Sequence, residues 1–374
     1  MYTVLDTIAT ANPPFKRSQT ELAHFMAVME QVPKPVRDRI ATIYRHSGID
    51  YRYSCLEDYG AAPEEFSFYP HNLALLPEPT TGDRNRKYQT SALALADQVA
   101  HQALGQADRL PSQITHLIVV SCNGFFAPGL YIHLVQRLGL PASTDRTLIG
   151  FMGCNAAFNA LKIAHTICQT HAAAQVLLVC VELCSLHFQR ADTLEKVIIN
   201  AIFADGAAAA ILSAQEDPTN LWVYTHSAGL ITENSLDAMA WDIGDTGFLM
   251  QLSPQVPQLI QDNLQPYLDS FLASHHLTFT DLDLWAVHPG GRSILDSVKA
   301  KLQLSDAALQ DSYEVLRQYG NMSSPTILFI LKRWMDATCQ TTPGAIVSTS
   351  HWGIALGFGP GLSIEGALFQ QFQR

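Results

Sequence analysis

Charge is scarce in this sequence. Asp, Glu, Lys and Arg make up 15% of it, against a usual share of about 25%. So thinly charged a chain points to a surface partly hidden in a subunit interface. Basic residues are the scarcer sign, 23 against 34 acidic, for a net charge of −11. That excludes a general binder of nucleic acid or anionic membrane and leaves room for a local basic mouth. No apolar run of about 18 residues occurs, so no membrane span is expected; the longest tempting run, AIFADGAAAAIL, is broken by Asp205. The start, MYTVLDTIATANPPF, lacks a basic segment followed by a long apolar one and does not read as a signal peptide. The 7 cysteines include no CxxC pair and no His pair at zinc spacing. A disulfide framework and a zinc finger are therefore not expected, and the thiols suit a reducing compartment, the cytoplasm. No GxGxxG or GxxxxGK follows a strand pattern, which argues against a nucleotide-phosphate loop.

What is present is a large core and a repeat. Of 374 residues, 48% are apolar, enough for two or three domain-sized units and too many for a disordered chain. THLIVVS (115–121) and LDLWAVH (282–288) are apolar runs of strand length. GCNAAFNALKIA (153–164) and GNMSSPTILFIL (320–331) each begin with Gly plus a polar residue and continue as an apolar helix. QVLLVCVE (175–182) pairs in kind with GAIVSTSH (344–351), and DGAAAAILS (205–213) with GPGLSIEGA (359–367). Cys154 follows Cys122 by 32 residues and Gly320 follows His288 by 32. Unalternating apolar runs separated by helices indicate strands covered on both faces and joined by crossovers. The expectation is an α/β chain of two similar halves, 1–222 and 223–374, with the second carrying an insertion over 227–275 before its first matched strand.

Three residues acquire meaning through that repeat. Cys154, after Gly153, opens a helix whose unpaired amides lower a thiol's pKa, although a cysteine among alanines is by itself most simply a buried, inert one. His288 ends a buried strand before ProGlyGly. Asn321 opens the equivalent helix of the second half, where Asn is also a good N-cap. A pseudo-twofold axis would bring both helix starts to one point. Thiol, imidazole and carboxamide together suit acyl transfer through a thioester, with an imidazole–thiolate pair and amide donors to an oxyanion. No further ligand stands at metal spacing, so no metal is expected.

GCNAA (153–157), IFADG (202–206), HPGG (288–291), YGNMSSPT (319–326) and GFGPGL (357–362) occur in order across nearly the whole chain. With them the sequence resembles the type III polyketide synthases, the chalcone-synthase-like branch of the thiolase-fold condensing enzymes. The resemblance implies a thiolase-like fold of two αβαβα halves in a layered core. It makes Cys154 the acyl carrier, His288 and Asn321 the pair that decarboxylates malonyl-CoA, and Phe203 a gatekeeper whose plain reading is a core aromatic. It places Cys122, Asn123, Cys184, His187 and Ser323 on the cavity wall, with Gly357, Phe358, Gly359, Pro360 and Gly361 shaping the thioester site. A second gate phenylalanine falls at Gly247 or Phe248. Arg39, Arg45 and Arg292 are the candidates for binding CoA, against a plain reading as solvated surface.

The sequence departs from plant chalcone synthases. Cys122 and Cys184 replace two small Thr residues and His187 a third, while DTGF and GCNAAFNALK look more like bacterial members, many of which take fatty acyl starters and release pyrones or resorcinols. The implied substrates are an acyl-CoA starter and malonyl-CoA, with no cofactor beyond CoA thioesters, a homodimer, and an acyl carrier protein as a second conceivable donor. The competing readings are a ketoacyl-carrier-protein synthase III-type enzyme making one condensation and a non-catalytic acyl-binding subunit of the same fold.

Overall fold

The structure is a computed structural model that describes residues 1–218, 221–339 and 351–372. Its strands are β1 (Tyr2–Ala11), β2 (Phe15–Ser18), β3 (Tyr51–Ser54), β4 (His116–Ser121), β5 (Asp145–Gly150), β6 (Gln175–Leu183), β7 (Asp205–Gln215), β8 (Trp222–Ile231), β9 (Met239–Gly244), β10 (Gly247–Leu252), β11 (Leu282–Val287), β12 (His351–Gly359) and β13 (Ser363–Gln371). Its helices are α1 (Gln19–Val28), α2 (Lys34–His46), α3 (Thr81–Gln106), α4 (Leu130–Leu138), α5 (Ala156–Thr170), α6 (Leu194–Ile202), α7 (Val256–Ala273), α8 (Arg292–Leu302), α9 (Gln310–Tyr319) and α10 (Thr326–Cys339). No helix among the described residues is long and apolar enough to cross a membrane.

Among the described residues, nine strands form one sheet in the order β11-β12-β13-β8-β1-β7-β6-β4-β5. Read outward from the antiparallel β8/β1 pair, the two sides match: β13 with β7, β12 with β6, β11 with β4. The outer partners β11/β12 and β4/β6 are parallel, whereas β12/β13 and β6/β7 are antiparallel. β5 is an extra edge strand on the first side.

Alternation along each strand serves two cores at once. In β7, Ala208, Ala210 and Leu212 face a central layer made by α5 and α10, while Ala207, Ala209 and Ile211 face the helices outside. In the second half Ala355 of β12 joins the central layer, and Ile354 and Leu356 pack on α7 and α8. Helices, strands, central helices, strands and outer helices give the thiolase-like αβαβα stack. α5 fits its enclosed position because four of the seven residues buried on it are alanines, Ala156, Ala157, Ala160 and Ala164, beside Phe158, Leu161 and Cys168. The alanines need little room and lose no side-chain entropy.

Two expectations need correction. GPGLSIEGA (359–367) is not one Gly-led strand. β12 runs through Gly359, the chain turns, and β13 starts at Ser363. The Gly-rich stretch expected to shape the thioester site is thus strand through Gly359 and turn at Pro360 and Gly361. A Cβ at Gly357 would lie 2.3 Å from Phe158 Cε2 and one at Gly359 2.5 Å from Asn155, so the glycines admit α5 against the sheet. Of the strand read at 344–351, all but His351 lies outside the described residues.

Candidate active site

Parallel strands end at one edge of a sheet, and the crossovers that follow them meet there. Ser121 ends β4 and delivers Cys122 and Asn123; Leu183 ends β6 and delivers Cys184–His187 in a 3₁₀ turn; Val287 ends β11 and delivers His288. Cys154 stands in the tight turn ahead of α5, made possible by Gly153 at φ 80°. Asn321 follows α9 and is laced to the end of α6: its N–H donates to Ile202 O at 3.0 Å and its carbonyl accepts from Ala204 N at 2.9 Å. That lacing sets Asn321 beside Phe203.

Cys154 and Asn321, from the two halves, meet. The thiol lies 4.0 Å from Asn321 Oδ1, and Asn321 Nδ2 donates toward the sulfur at 3.9 Å. The carboxamide is held by two further bonds, Nδ2 to Gly290 O at 3.2 Å and Ser323 N to Oδ1 at 2.8 Å. His288 is fully buried, and both its ring nitrogens lack a hydrogen-bond partner among the described residues. Its carbonyl accepts from Gly290 N at 3.0 Å, so backbone links it to the residue that orients Asn321.

The electrostatics differ from the expectation of an imidazole–thiolate pair. Burial pushes the Cys154 thiol up to about 11, outweighing the hydrogen bonds of Ser323 and Asn321 that favour its charge. Burial pushes His288 down to about 3. Beneath the thiols lies Glu182, which the sequence reading passed over. Its carboxylate oxygens accept from Cys122 N at 2.9 Å and Ser324 Oγ at 2.7 Å, and burial pushes it up to about 8. An acid closing an otherwise apolar strand was the signal for it.

Three cavities adjoin one another here. The first, about 320 Å³, holds Cys184, His187 and Phe248 in its wall. The second, about 30 Å³, touches Cys122, Asn123, Cys154, Ser323 and Pro360. The third, about 480 Å³, opens beside Cys154, Asn321 and Phe358. All three share Phe203 and Met250. The side chain that stands with Phe203 at the junction is therefore Met250, and neither Gly247 nor Phe248 takes that place. Phe248 stacks on His187, ring centres 4.2 Å apart, and both nitrogens of His187 are engaged, by Asn123 O at 2.7 Å and Phe248 N at 3.0 Å. His288 lines none of these cavities, nor do Gly357, Gly359 and Gly361. Arg39 and Arg45 are exposed on α2 and line none of them either. Arg292 is exposed at the first turn of α8, next to Gly291 in the wall of the third cavity. No group of three His, Cys, Asp or Glu among the described residues is placed to hold a metal ion.

Comparison with known proteins decides the family. The N-terminal domain of chalcone and stilbene synthases matches residues 3–218, and the C-terminal domain of the same family matches 225–373. The chain belongs to the chalcone and stilbene synthase family. It is a type III polyketide synthase, an acyltransferase that works by decarboxylative condensation. Over 375 residues, 99% of this chain and 92% of the other, it is 31% identical to the alpha-pyrone synthesis polyketide synthase-like Pks18 of Mycobacterium tuberculosis. It is 30% identical to polyketide synthase 37 of Dictyostelium discoideum, across 99% of this chain and 12% of that much longer protein. The crystal structure of PKS-I from the brown alga Ectocarpus siliculosus superimposes with a TM-score of 0.92 at 35% identity, covering 99% of this chain and 98% of that one. The type III domain of Steely1 from Dictyostelium shares the fold, with a TM-score of 0.88 at 24% identity and full coverage of both chains.

Proposed function

We propose that this polyketide synthase loads a fatty-acyl-type CoA starter on Cys154, extends it repeatedly with malonyl-CoA and cyclises it to a pyrone, resorcinol or related aromatic. The Cys154 sulfur attacks the starter carbonyl, and CoA leaves as the thiol, its proton supplied by Cys154 through His288. Malonyl-CoA then loses CO₂, and the electrons of the broken C–C bond form an enolate. The enolate oxygen is stabilised by Asn321 Nδ2 and His288. The enolate carbon attacks the acyl carbonyl, a C–C bond forms, and the Cys154 sulfur departs to be reloaded. Charge develops on the enolate oxygen in a site where fixed donors act strongly.

One observation carries this reading: the Cys154 thiol and Asn321 carboxamide share a largely apolar cavity of about 480 Å³. Such a space accommodates a drug-sized acyl thioester. Arg292 is proposed to meet CoA phosphates at its lip. Its stem lies 3.2 Å from where a Cβ of Gly48, just beyond α2, would stand, and α2 carries Arg39 and Arg45. We further propose that the halves divide at 222/223 and that the enzyme is a cytoplasmic homodimer. The outer edge of β5, unpaired among the described residues, and the exposure of Leu148 (42%) and Met152 (45%) support the dimer.

Mass spectrometry of products from malonyl-CoA with short, aromatic and long acyl-CoA starters tests the reading. Tri- or tetraketides on long starters are expected, and none with Cys154→Ala. A single condensation restricted to malonyl carrier protein would replace it with the synthase III reading. Presenting the starter on an acyl carrier protein instead of CoA shows whether the protein arm is also accepted.

A further inference from the structure

The cavity of about 320 Å³ carries charge that the condensation chemistry does not use. Three of the described residues in its wall are basic, Arg17, Arg52 and Lys196, and one is acidic, Glu195. That sign runs against a chain with 34 acidic residues to 23 basic. Lys196 is paired with Asp192 at 2.9 Å, and Glu195 accepts from Leu252 N at 2.8 Å. The two arginines are left over.

Arg17 and Arg52 stand directly opposite each other in the β2/β3 ladder, where side chains leave the same face and like charges repel. Arg52 is only 8% exposed. Its three hydrogen bonds go to neutral oxygens: Nε to Gln19 Oε1 at 2.9 Å, Nη1 to Asn200 O at 2.7 Å and Nη1 to Phe203 O at 2.6 Å. The phenol of Tyr44 beside it is neutral as well. The carbonyl end of α6 offsets about half a charge. Arg17 bonds the carbonyls of Lys16 and Glu57, and its buried Nε has no partner among the described residues. The acids whose charge reaches these two are engaged elsewhere. Asp205 accepts from Cys55 N and Ser185 N, both at 2.7 Å, and Glu21 accepts from Ser18 N at 2.7 Å. A buried guanidinium without a carboxylate is costly, and its fork of donors matches one.

The rest of the wall includes Leu22, Phe25, Phe188 and Ile199. Cys184, Phe203, Trp241 and Met250 are shared with the small chamber that holds Cys154. An acyl chain that leaves Cys154 across this boundary enters a space with apolar sides and two cations. We propose that the arginine pair makes this cavity a binding site for a carboxylate borne on an apolar chain. Two sources share that chemistry: the far-end carboxylate of an acyl group held on Cys154, as a dicarboxylic starter would supply, and a free acid. The first source rests on the polyketide reading above; the anion site does not.

The test is calorimetry on the full chain with octanoate and 1-octanol, which carry the same tail. Octanoate is expected to bind about tenfold more tightly, the worth of one charge-assisted hydrogen bond. Arg52→Gln and Arg17→Gln are expected to lose that preference and Arg52→Lys to keep it. Arg52 also braces α6, so Arg17→Gln, whose lost bonds are both at the surface, carries the test should Arg52→Gln fail to fold. Equal binding of acid and alcohol by the wild type, or an unchanged ratio in the folded Gln variants, would overturn the site. Comparing kcat/KM for octanoyl-CoA with that for the mono-CoA thioester of octanedioic acid separates the sources. A preference for the dicarboxylic thioester that Arg17→Gln abolishes identifies the tethered chain. A preference for octanoyl-CoA, with octanoate as a competitive inhibitor, identifies the free acid. If no starter yields a polyketide, the functional reading fails, and the acid-to-alcohol ratio still decides the anion site.

Discussion

Asn321 shows how one side chain serves architecture and chemistry together. Its backbone bonds α6, its Oδ1 caps Ser323, and its Nδ2 faces the sulfur. Truncating it to Ala leaves the backbone bonds in place, so folding should persist. Losing one oxyanion donor costs about 10²–10³ in rate, and steady-state condensation by Asn321→Ala should fall by that much, while the melt stays cooperative with a Tm lowered by the loss of the Ser323 and Gly290 bonds. Glu182 makes a different prediction. Its pKa is raised to about 8 in the fold from about 4.3 in an unfolded chain. The stability carried by its protonated form is thus complete below the lower value and lost as pH rises through the upper one. The Tm of the wild type relative to Glu182→Gln should therefore decline between about pH 5 and 9. A difference that ignores pH would mean the carboxyl is already ionised at the start.

At the scale of elements, the turn before α5 is the most constrained piece. Gly153 has φ 80°, and a Cβ there would stand 2.4 Å from Pro360 Cδ. Gly153→Ala should destabilise by roughly 2–4 kcal/mol through left-handed strain plus overpacking, measured by urea unfolding. This scale also shows what was readable beforehand. β4, β6, β7 and β11 were legible because both faces of each are apolar, and Cys154, His288 and Asn321 because the halves repeat, although α10 begins only at Thr326, so Asn321 stands in the connection ahead of that helix and does not open it. Trp241 and Met250 escaped because β9 and β10 belong to the insertion at 227–275, which has no counterpart in the first half. The thiol's raised pKa escaped because desolvation depends on what closes over it. Gly357 and Gly359 misled because a glycine needed for close packing looks, in sequence, like one needed for a turn.

Among the described residues, the sheet order leaves β5 with one open edge, and its burial pattern is mostly exposed. Open edges invite pairing. Light scattering after size exclusion should give a dimer for the wild type and a monomer for Leu148→Asp, whose charge would have to be buried unpaired. A wild-type monomer would disconnect that edge from self-association.

Helix α6 is one helix thick, with Ile198 in the wall of one large chamber and Ile199 in the wall of the other. Adjacent codons thus give separate handles on the two compartments. Remodelling Ile198 reshapes the space beside Asn321, whereas its neighbour alters the volume behind Phe203, so entrance and depth can be retuned independently.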